Sequence, residues 1–554
     1  MLEIYDCILR EGEQAHGASF NAESRIELCR KLDEFGIDYI ELGWPMASKE
    51  IFESFSNCLK IVKNAKIVAF GSTSIKPLAE DDENLNSIVN CKAKYACIFG
   101  KSSISHVEKQ LKITPEENLK KIFESVKFLK EKGLIVFYDA EHYFDAFKKN
   151  KEFSNENSLS LQIGTKENVK PIWSNKDYAI QTIIAAINGG AERIILCDTN
   201  GGLLPDEAEK IVRETGQILK SSGFQARFGV HFHNDCGLAL ANTLSCLPYI
   251  SQVQGTINGI GERIGNLDFS EFLPVYIKKL GNNLNIDLKK LKKINEDGFR
   301  LAGINIPEKR TFVGDLAFSH KAGVHIDAHA KGASYEHVNP YDFGNKRNII
   351  MNTLGGRNSI VGIAEKFGYK LDKNNEETKE KIKRLFEELR KYENEGYKSG
   401  VYEAEQFLLI EKYFGSNDLI FKINAWEIRS EVVNRNETSY FKVECRLNEK
   451  IIEGEFEVDG GPVDAAFKTL KKILSKEYPE IENLKLIDFH VEIARRRAEE
   501  SSVRTMITFQ DGEEFTVVGV DKNILESAIE ALEKGFRYYL IKLNNCCEDG
   551  NELG

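Results

Sequence analysis

Short β-branched or apolar runs alternate with longer amphipathic stretches through the first half of the chain. The runs at residues 2–5, 39–42, 67–70, 95–98, 135–138, 193–197, 227–233 and 252–256 predict strands. Between them, residues 22–35 and 114–132 show the clearest helical pattern, with apolar residues three and four apart. Thr114-Pro115-Glu116-Glu117 supplies an N-cap, a proline at the first helical position and a capping-box glutamate. Eight strands, each followed by a helix, predict an α/β fold of the (β/α)8 TIM-barrel type. A doubly wound open sheet has less support, because no G-x-G-x-x-G follows the first strand. Residues 144–175 are polar and rich in Lys, Asn and Ser, and they predict a surface excursion after strand five.

The texture then changes. Residues 288–405 read as helical and heavily charged, with a loop-like centre at 324–356. From about residue 413 the pattern becomes strand, strand, helix, twice over. Strand-like runs at 419–424 and 441–447 precede a helix at 462–474. Runs at 484–495, 504–510 and 515–520 precede a helix at 523–540. This is a weak ββα repeat and predicts a C-terminal α+β domain. The expected division is a catalytic barrel at 1–280, helical linker subdomains at 281–410 and a regulatory and dimerisation domain at 411–545.

Composition narrows the function classes. The chain has 554 residues, 42% hydrophobic and 29% charged, as in ordinary globular proteins. No run approaches the ~18 apolar residues of a membrane span. The formal charge is −11 and basic residues are scattered, which argues against nucleic acid as a partner. Met1-Leu-Glu-Ile-Tyr-Asp6 has neither a basic nor an apolar leader segment, so a cytoplasmic location is expected. The eleven cysteines show no paired metal spacing and are expected to be free thiols.

The chemistry gathers at the predicted strand ends, where barrels of this type carry their functional groups. Strand seven runs into His231-Phe-His233-Asn234-Asp235. Residues i and i+2 of a strand share a face, so the two imidazoles converge and suit a borderline divalent ion. Strand one runs into Arg10-Glu11-Gly12-Glu13-Gln14, strand five into Asp139-Ala-Glu141-His142, and strand six into Asp198-Thr199-Asn200. Closure makes strands one, seven and eight neighbours, so Glu11 is expected to meet the histidine pair. One carboxylate and two imidazoles leave coordination positions open, as catalytic metal sites do.

Taken together, Leu9-Arg10-Glu11-Gly12-Glu13-Gln14, His231-Phe-His233-Asn-Asp and Asn258-Gly-x-Gly-Glu-Arg-x-Gly-Asn266 resemble the acetyl-CoA-dependent isopropylmalate, homocitrate and citramalate synthase family. The resemblance is strongest to its long citramalate synthases, through Tyr39-Ile-Glu-Leu-Gly-Trp44-Pro45, Ile98–Ser102, Tyr138-Asp-Ala-Glu141-His142 and Leu196–Gly202. It implies Glu11, His231, His233 and Asn266 around a divalent metal ion, whether Zn, Mn or Mg. It implies Arg10 and Thr199 on a 2-oxo acid, with Gln14 and Glu141 completing the acetyl-CoA and base environment. His325, rather than His320, aligns with a histidine that the family supplies to the partner subunit, with Tyr335 in support, so a homodimer is implied. Glu11 stands where citramalate and isopropylmalate synthases usually carry Asp, and Asp459-Gly460-Gly461-Pro462 replaces a common Gly-Asn-Gly-Pro. That turn, with Gly460, Gly461 and Asp464, is expected to bind an effector, isoleucine first.

The expected reaction condenses acetyl-CoA with pyruvate and water to (R)-citramalate and CoA. Alternatives are the same chemistry on 2-oxoglutarate, oxaloacetate or 2-oxoisovalerate, a metal-dependent C–C lyase, or a sensor without activity. Apolar Ile98 and Phe99 are expected to close around the pyruvate methyl group. Lys101 is the candidate counter-ion for a second carboxylate.

Overall fold

The computed structural model describes residues 2–148, 174–320, 335–352, 356–372, 374–397, 400–416, 420–433, 435–495 and 501–549. It divides into two compact units, one of residues 1–317 with 338–346, the other of 318–337 with 347–554.

In the first unit, eight parallel strands close into a barrel. They are β1 (Glu3–Asp6), β2 (Tyr39–Gly43), β3 (Lys66–Ser72), β4 (Tyr95–Lys101), β5 (Ile135–Glu141), β6 (Arg193–Asp198), β7 (Phe228–Phe232) and β8 (Gln252–Gly255). Closure is direct: Glu3 to Asp6 pair in register with Gln252 to Gly255, and His231 pairs with Gln254. The barrel fold expected from the alternating pattern is therefore the fold observed. Helix starts follow the cap chemistry in the sequence. Asn21 caps Ala22–Phe35, Ser48 caps Lys49–Ile61, and Thr114 accepts the Glu117 N–H ahead of Pro115–Glu131. The barrel interior is an aromatic-rich cluster of Tyr5, Cys7, Tyr39, Val68, Phe70, Cys97 and Phe137.

One expectation needs correction after β5. Residues 144–148 are not a surface excursion: Tyr143–Lys148 is a helix in which Tyr143, Phe144, Ala146 and Phe147 are buried. Phe144 packs on Phe232 with ring centroids 5.4 Å apart. Residues 149–173 lie outside the described residues, and Ser174 and Asn175 cap and begin the helix Asn175–Gly189.

In the second unit, a short parallel pair, β9 (Ser319–His320) with β10 (Asn348–Ile349), accompanies helices Gly356–Lys366, Glu376–Glu395 and Glu403–Phe414. Two antiparallel sheets follow. β11 (Phe421–Val433), β12 (Asn436–Leu447) and β13 (Lys450–Asp459) lead to helix Pro462–Leu474. β14 (Lys485–Arg495), β15 (Ser502–Asp511) and β16 (Glu513–Asp521) lead to helix Ile524–Asp549. The repeat is thus βββα, not ββα. The strand missed in the first half, β13, carries Glu453, Glu455 and Glu457 outward and is only partly buried on its other face. Its centre is Gly454, where a Cβ would come within 2.2 Å of Ile473, so the helix lies directly on the strand. Both halves bury into one core that includes Phe421, Phe441, Phe467, Phe509 and Phe536.

Candidate active site

The loop after β1 turns back at once, because the Glu11 N–H donates to the Cys7 carbonyl at 2.7 Å. Its Glu11 carboxylate enters the barrel mouth beside β7. Ligand atoms of Glu11, His231 and His233 all lie within 4.8 Å of one another, and all three residues are buried. Glu11 Oε1 is 3.6 Å from His233 Nε2. His231 Nδ1 is 2.9 Å from Gln254 Oε1 on β8, which fixes Nδ1 as the donor and leaves Nε2 as the acceptor that faces Asn266. Burial, then the neighbouring His233, holds His231 well below its ordinary value. Burial, then the charges of Arg263, Arg10 and His142, takes His233 down to about 4. Both imidazoles are therefore neutral near pH 7, the form that ligates a metal.

The donor set fits a divalent ion. His233 Nδ1 and Asn266 Oδ1 are buried without hydrogen-bond partners among the described residues. Asn266 Nδ2 lies 3.0 Å from His231 Nε2, so a turn of the amide brings the idle Oδ1 to the same place. Gly261 makes this approach possible, since a Cβ there would fall 1.9 Å from Asn266 Oδ1.

Arg10 is held from three sides. It pairs with Glu11, its Nε–H donates to Glu41 Oε1 at 2.5 Å, and its guanidinium lies 4.0 Å above the Phe70 ring. Glu41 is fully buried and also accepts the Tyr5 hydroxyl at 2.5 Å. Next to it, Asp139 accepts the Cys97 thiol at 3.0 Å. Burial, then the Glu41 charge, raises Asp139 to about 7. Asp6 rises to about 8, chiefly by burial. Glu41 lies in the Tyr39–Pro45 segment that carries the resemblance but has no role in the expected site, although a carboxylate at the centre of an apolar strand is a visible signal.

At the rim, Lys101 Nζ pairs with Glu141 Oε2 at 2.6 Å. The Thr199 hydroxyl accepts the His142 backbone N–H at 2.8 Å, which leaves its own hydrogen to donate. Arg263 clasps Asp235 through two contacts of 2.8 and 2.9 Å and also donates to the Thr199 carbonyl. Gln14 is exposed. Phe99 stacks on Phe70 at 5.5 Å, and Trp44 stands edge-on to both. Of the two apolar residues expected around the substrate methyl, only Phe99 faces this wall. Ile98, one position away, points to the other face of β4 by strand alternation.

His325 lies outside the described residues. Tyr335 is 59% exposed, and Glu336 beside it binds His320 at 2.9 Å and Arg347 at 2.6 Å. In the C-terminal turn, the Gly460 N–H donates to the Glu437 carbonyl and Pro462 has no N–H, so fewer backbone donors are offered there than the motif implies. Asp464 pairs with Lys468 at 2.6 Å.

Three family models match in succession: HMGL-like over residues 1–297, homocitrate synthase post-HMGL domain-like over 312–393, and LeuA allosteric (dimerisation) domain over 400–540. Among curated proteins, the chain is 37% identical to an (R)-citramalate synthase of Aquifex aeolicus, over 97% of this chain and 98% of that one. It is 36% identical to an (R)-citramalate synthase of Sulfolobus acidocaldarius, over 97% of each chain. A third, from Geobacter sulfurreducens, is 34% identical over 98% of each.

Proposed function

This chain belongs to the HMGL-like family, and from that premise we propose that it condenses acetyl-CoA with pyruvate and water to give (R)-citramalate and CoA, the first step of a pyruvate route to isoleucine. The observation that carries the reading is the convergence of Glu11, His231 and His233 at the barrel mouth, beside an arginine locked in place by Glu41.

Glu11, His231, His233 and Asn266 hold a divalent ion, Zn, Mn or Mg. When bound it supplies Lewis-acid polarisation of the 2-oxo group. Arg10 places a fixed positive charge beside the oxygen that becomes negative on attack, and its clamp means that little reorganisation is needed. Thr199 donates to the substrate carboxylate, and Gln14 lies on the acetyl-CoA side. His325, contributed from a second copy of the chain and supported by Tyr335, takes the proton from the acetyl methyl group. Glu141 completes the base environment.

Pyruvate fits the wall better than a larger acid does. Trp44, Phe70 and Phe99 form an apolar surface next to Arg10, suited to a methyl group. A dicarboxylic acceptor needs a second cation, and Lys101 is already neutralised by Glu141. A C–C lyase has no evident use for residues 400–540, which match the LeuA domain.

The proposed division is a barrel at 1–280, a linker at 281–410 and a regulatory domain at 411–545, in a homodimer. Edge strand β14 carries Ile487, Phe489 and Ile493 exposed, which supports contact with a second copy. Gly460, Gly461 and Asp464 form the proposed isoleucine site. A cytoplasmic location is proposed. Among the described residues no helix is long and apolar enough to cross a membrane.

The test is CoA release from acetyl-CoA with a panel of 2-oxo acids. Pyruvate should give the highest kcat/KM. A higher value for oxaloacetate, 2-oxoglutarate or 2-oxoisovalerate reassigns the acceptor, and no release with any acid removes the reading.

A further inference from the structure

We infer that His142 takes the proton of the water that hydrolyses the product thioester; this rests on the acyl-transfer reading above. His142 directly follows β5 and adopts a left-handed backbone with φ 58°. Histidine pays for that conformation only where the surroundings enforce it. Two contacts do so: its N–H donates to Thr199 Oγ1 at 2.8 Å, and its ring stacks on His106 with centroids 3.8 Å apart and planes 20° apart.

The ring is firmly placed, yet its nitrogens are idle. Nε2 is 3.9 Å from Glu141 Oε1, and Nδ1 is 3.6 Å from Asp145 Oδ2, both too far for a hydrogen bond. His142 is 8% exposed, and among the described residues its Nδ1 has no hydrogen-bond partner. A buried histidine with a purely structural role would satisfy those atoms. The neighbouring carboxylates are engaged elsewhere: Glu141 Oε2 with Lys101 at 2.6 Å, and Asp145 with the Asn200 amide at 2.6 Å.

The 3.9 Å gap between Glu141 Oε1 and His142 Nε2 accommodates one water at about 2.8 Å from each, at the apex of a triangle. Glu141 is already paired to Lys101 through Oε2, so its Oε1 orients that water while the imidazole accepts its proton. Stacking on His106 fixes the plane of the ring.

The step balances. The water oxygen forms a bond to the thioester carbonyl carbon, and its proton passes to His142 Nε2. The C–S bond then breaks, and the CoA sulfur takes that proton from the imidazole. His142 serves hydrolysis, and a separate group serves deprotonation of the acetyl methyl.

The test uses the full-length protein loaded with a divalent ion, with His142→Gly and His142→Asn, both tolerant of positive φ. Rapid quenching and mass spectrometry follow three quantities: methyl deuterium exchange of acetyl-CoA in heavy water, the citramalyl-CoA thioester, and free CoA. CoA release should fall about a hundredfold or more in both variants, while the thioester accumulates and methyl exchange continues. Added imidazole should restore CoA release in His142→Gly by filling the slot against His106. CoA release within threefold of wild type overturns the inference, as does a parallel loss of exchange and release without thioester and without rescue. A wild-type protein that consumes no acetyl-CoA with any 2-oxo acid instead overturns the functional reading itself.

Discussion

Glu41 accepts the Nε–H of Arg10 at 2.5 Å from the centre of a strand in which every residue is buried. The pair couples the barrel interior to the loop that carries Glu11. Its second oxygen is taken by the Tyr5 hydroxyl, so the carboxylate has no slack. Glu41→Gln keeps the shape but removes the charge that holds the guanidinium. Breaking one side of a buried ion pair costs about 3–5 kcal/mol. The expected result is a clear drop in Tm and a fall in kcat/KM for the 2-oxo acid of roughly a hundredfold. Michaelis–Menten kinetics with calorimetry checks both, and unchanged kinetics would remove Arg10 from the reaction centre.

Metal binding gives the second prediction. His231→Ala should lose the ion by elemental analysis, and chelation of the wild type should abolish activity until a divalent ion is returned. Because His233 titrates near 4 and His231 lies well below its ordinary value, both are unprotonated at pH 6. Metal binding at pH 6 should therefore release almost no protons from the histidines, and affinity should weaken only as pH falls toward 4. Titration calorimetry in buffers of different ionisation enthalpy measures the proton count. Release of a full proton at pH 6 contradicts the buried, neutral pair.

The interior carboxyls act in the opposite sense. Asp6 is raised to about 8 in the fold, above its unfolded value near 4. Its contribution to stability is fully present below about pH 4 and is lost as pH rises through 8. Asp6→Asn mimics the protonated form and still accepts the Ile8 N–H, which is bonded at 2.8 Å. Relative to wild type, this variant should gain on the order of 4 kcal/mol between pH 5 and pH 9, nearly all of it below pH 8. Denaturant unfolding across that range checks it, and a constant difference would mean that Asp6 is already ionised at pH 5.

Much of this architecture was legible in the chain, and the failures share physical causes. All eight barrel strands begin within a residue of the places where apolar runs begin, because strands buried on both faces must read as continuous apolar stretches. Glu11, His231 and His233 were recoverable because barrel closure brings the ends of the strand set together. β13 was missed although Ile452, Phe456 and Val458 alternate with Glu453, Glu455 and Glu457, because Gly454 at its centre leaves the inward row without a side chain there. Glu41 and the amide of Gln254 were missed because each lies within a strand, away from the polar clusters at strand ends, and gains meaning only from its cross-strand neighbour. Ile98 and Phe99 show the remaining limit: composition placed an apolar pair at the rim, but only register decides which of the two faces inward.

Acceptor size follows from the aromatic wall. Phe99 stacks on Phe70 at 5.5 Å beside the Arg10 guanidinium. Phe99→Ala opens space where the pyruvate methyl group is expected. Selectivity per methylene in such pockets is about 1–3 kcal/mol. The variant should lose pyruvate efficiency and shift the ratio of 2-oxobutyrate to pyruvate upward by tenfold or more. An unchanged ratio places the methyl pocket elsewhere.

Assembly and control form the last prediction. The helix Glu403–Phe414 is built into the C-terminal core, with Glu405 buried against Lys534, so a truncation at Glu405 would cut through a packed element. Ending the chain at Glu395, the end of the preceding helix, spares it that damage and should remove isoleucine inhibition while leaving some CoA release. Complementation tests the shared site separately. Glu11→Ala and His325→Ala should each be inactive. In a two-fold dimer with random exchange, about half the dimers are mixed. If His325 acts on the neighbour, each mixed dimer has one complete site, formed by the barrel with Glu11 and the histidine of the other copy. Activity should then recover to about one quarter of wild type, half the dimers carrying half their sites. If each chain completes its own site, no site in any mixed dimer holds both residues, and activity stays at zero despite exchange. Native mass spectrometry of the mixture establishes the exchange, so the two outcomes separate cleanly.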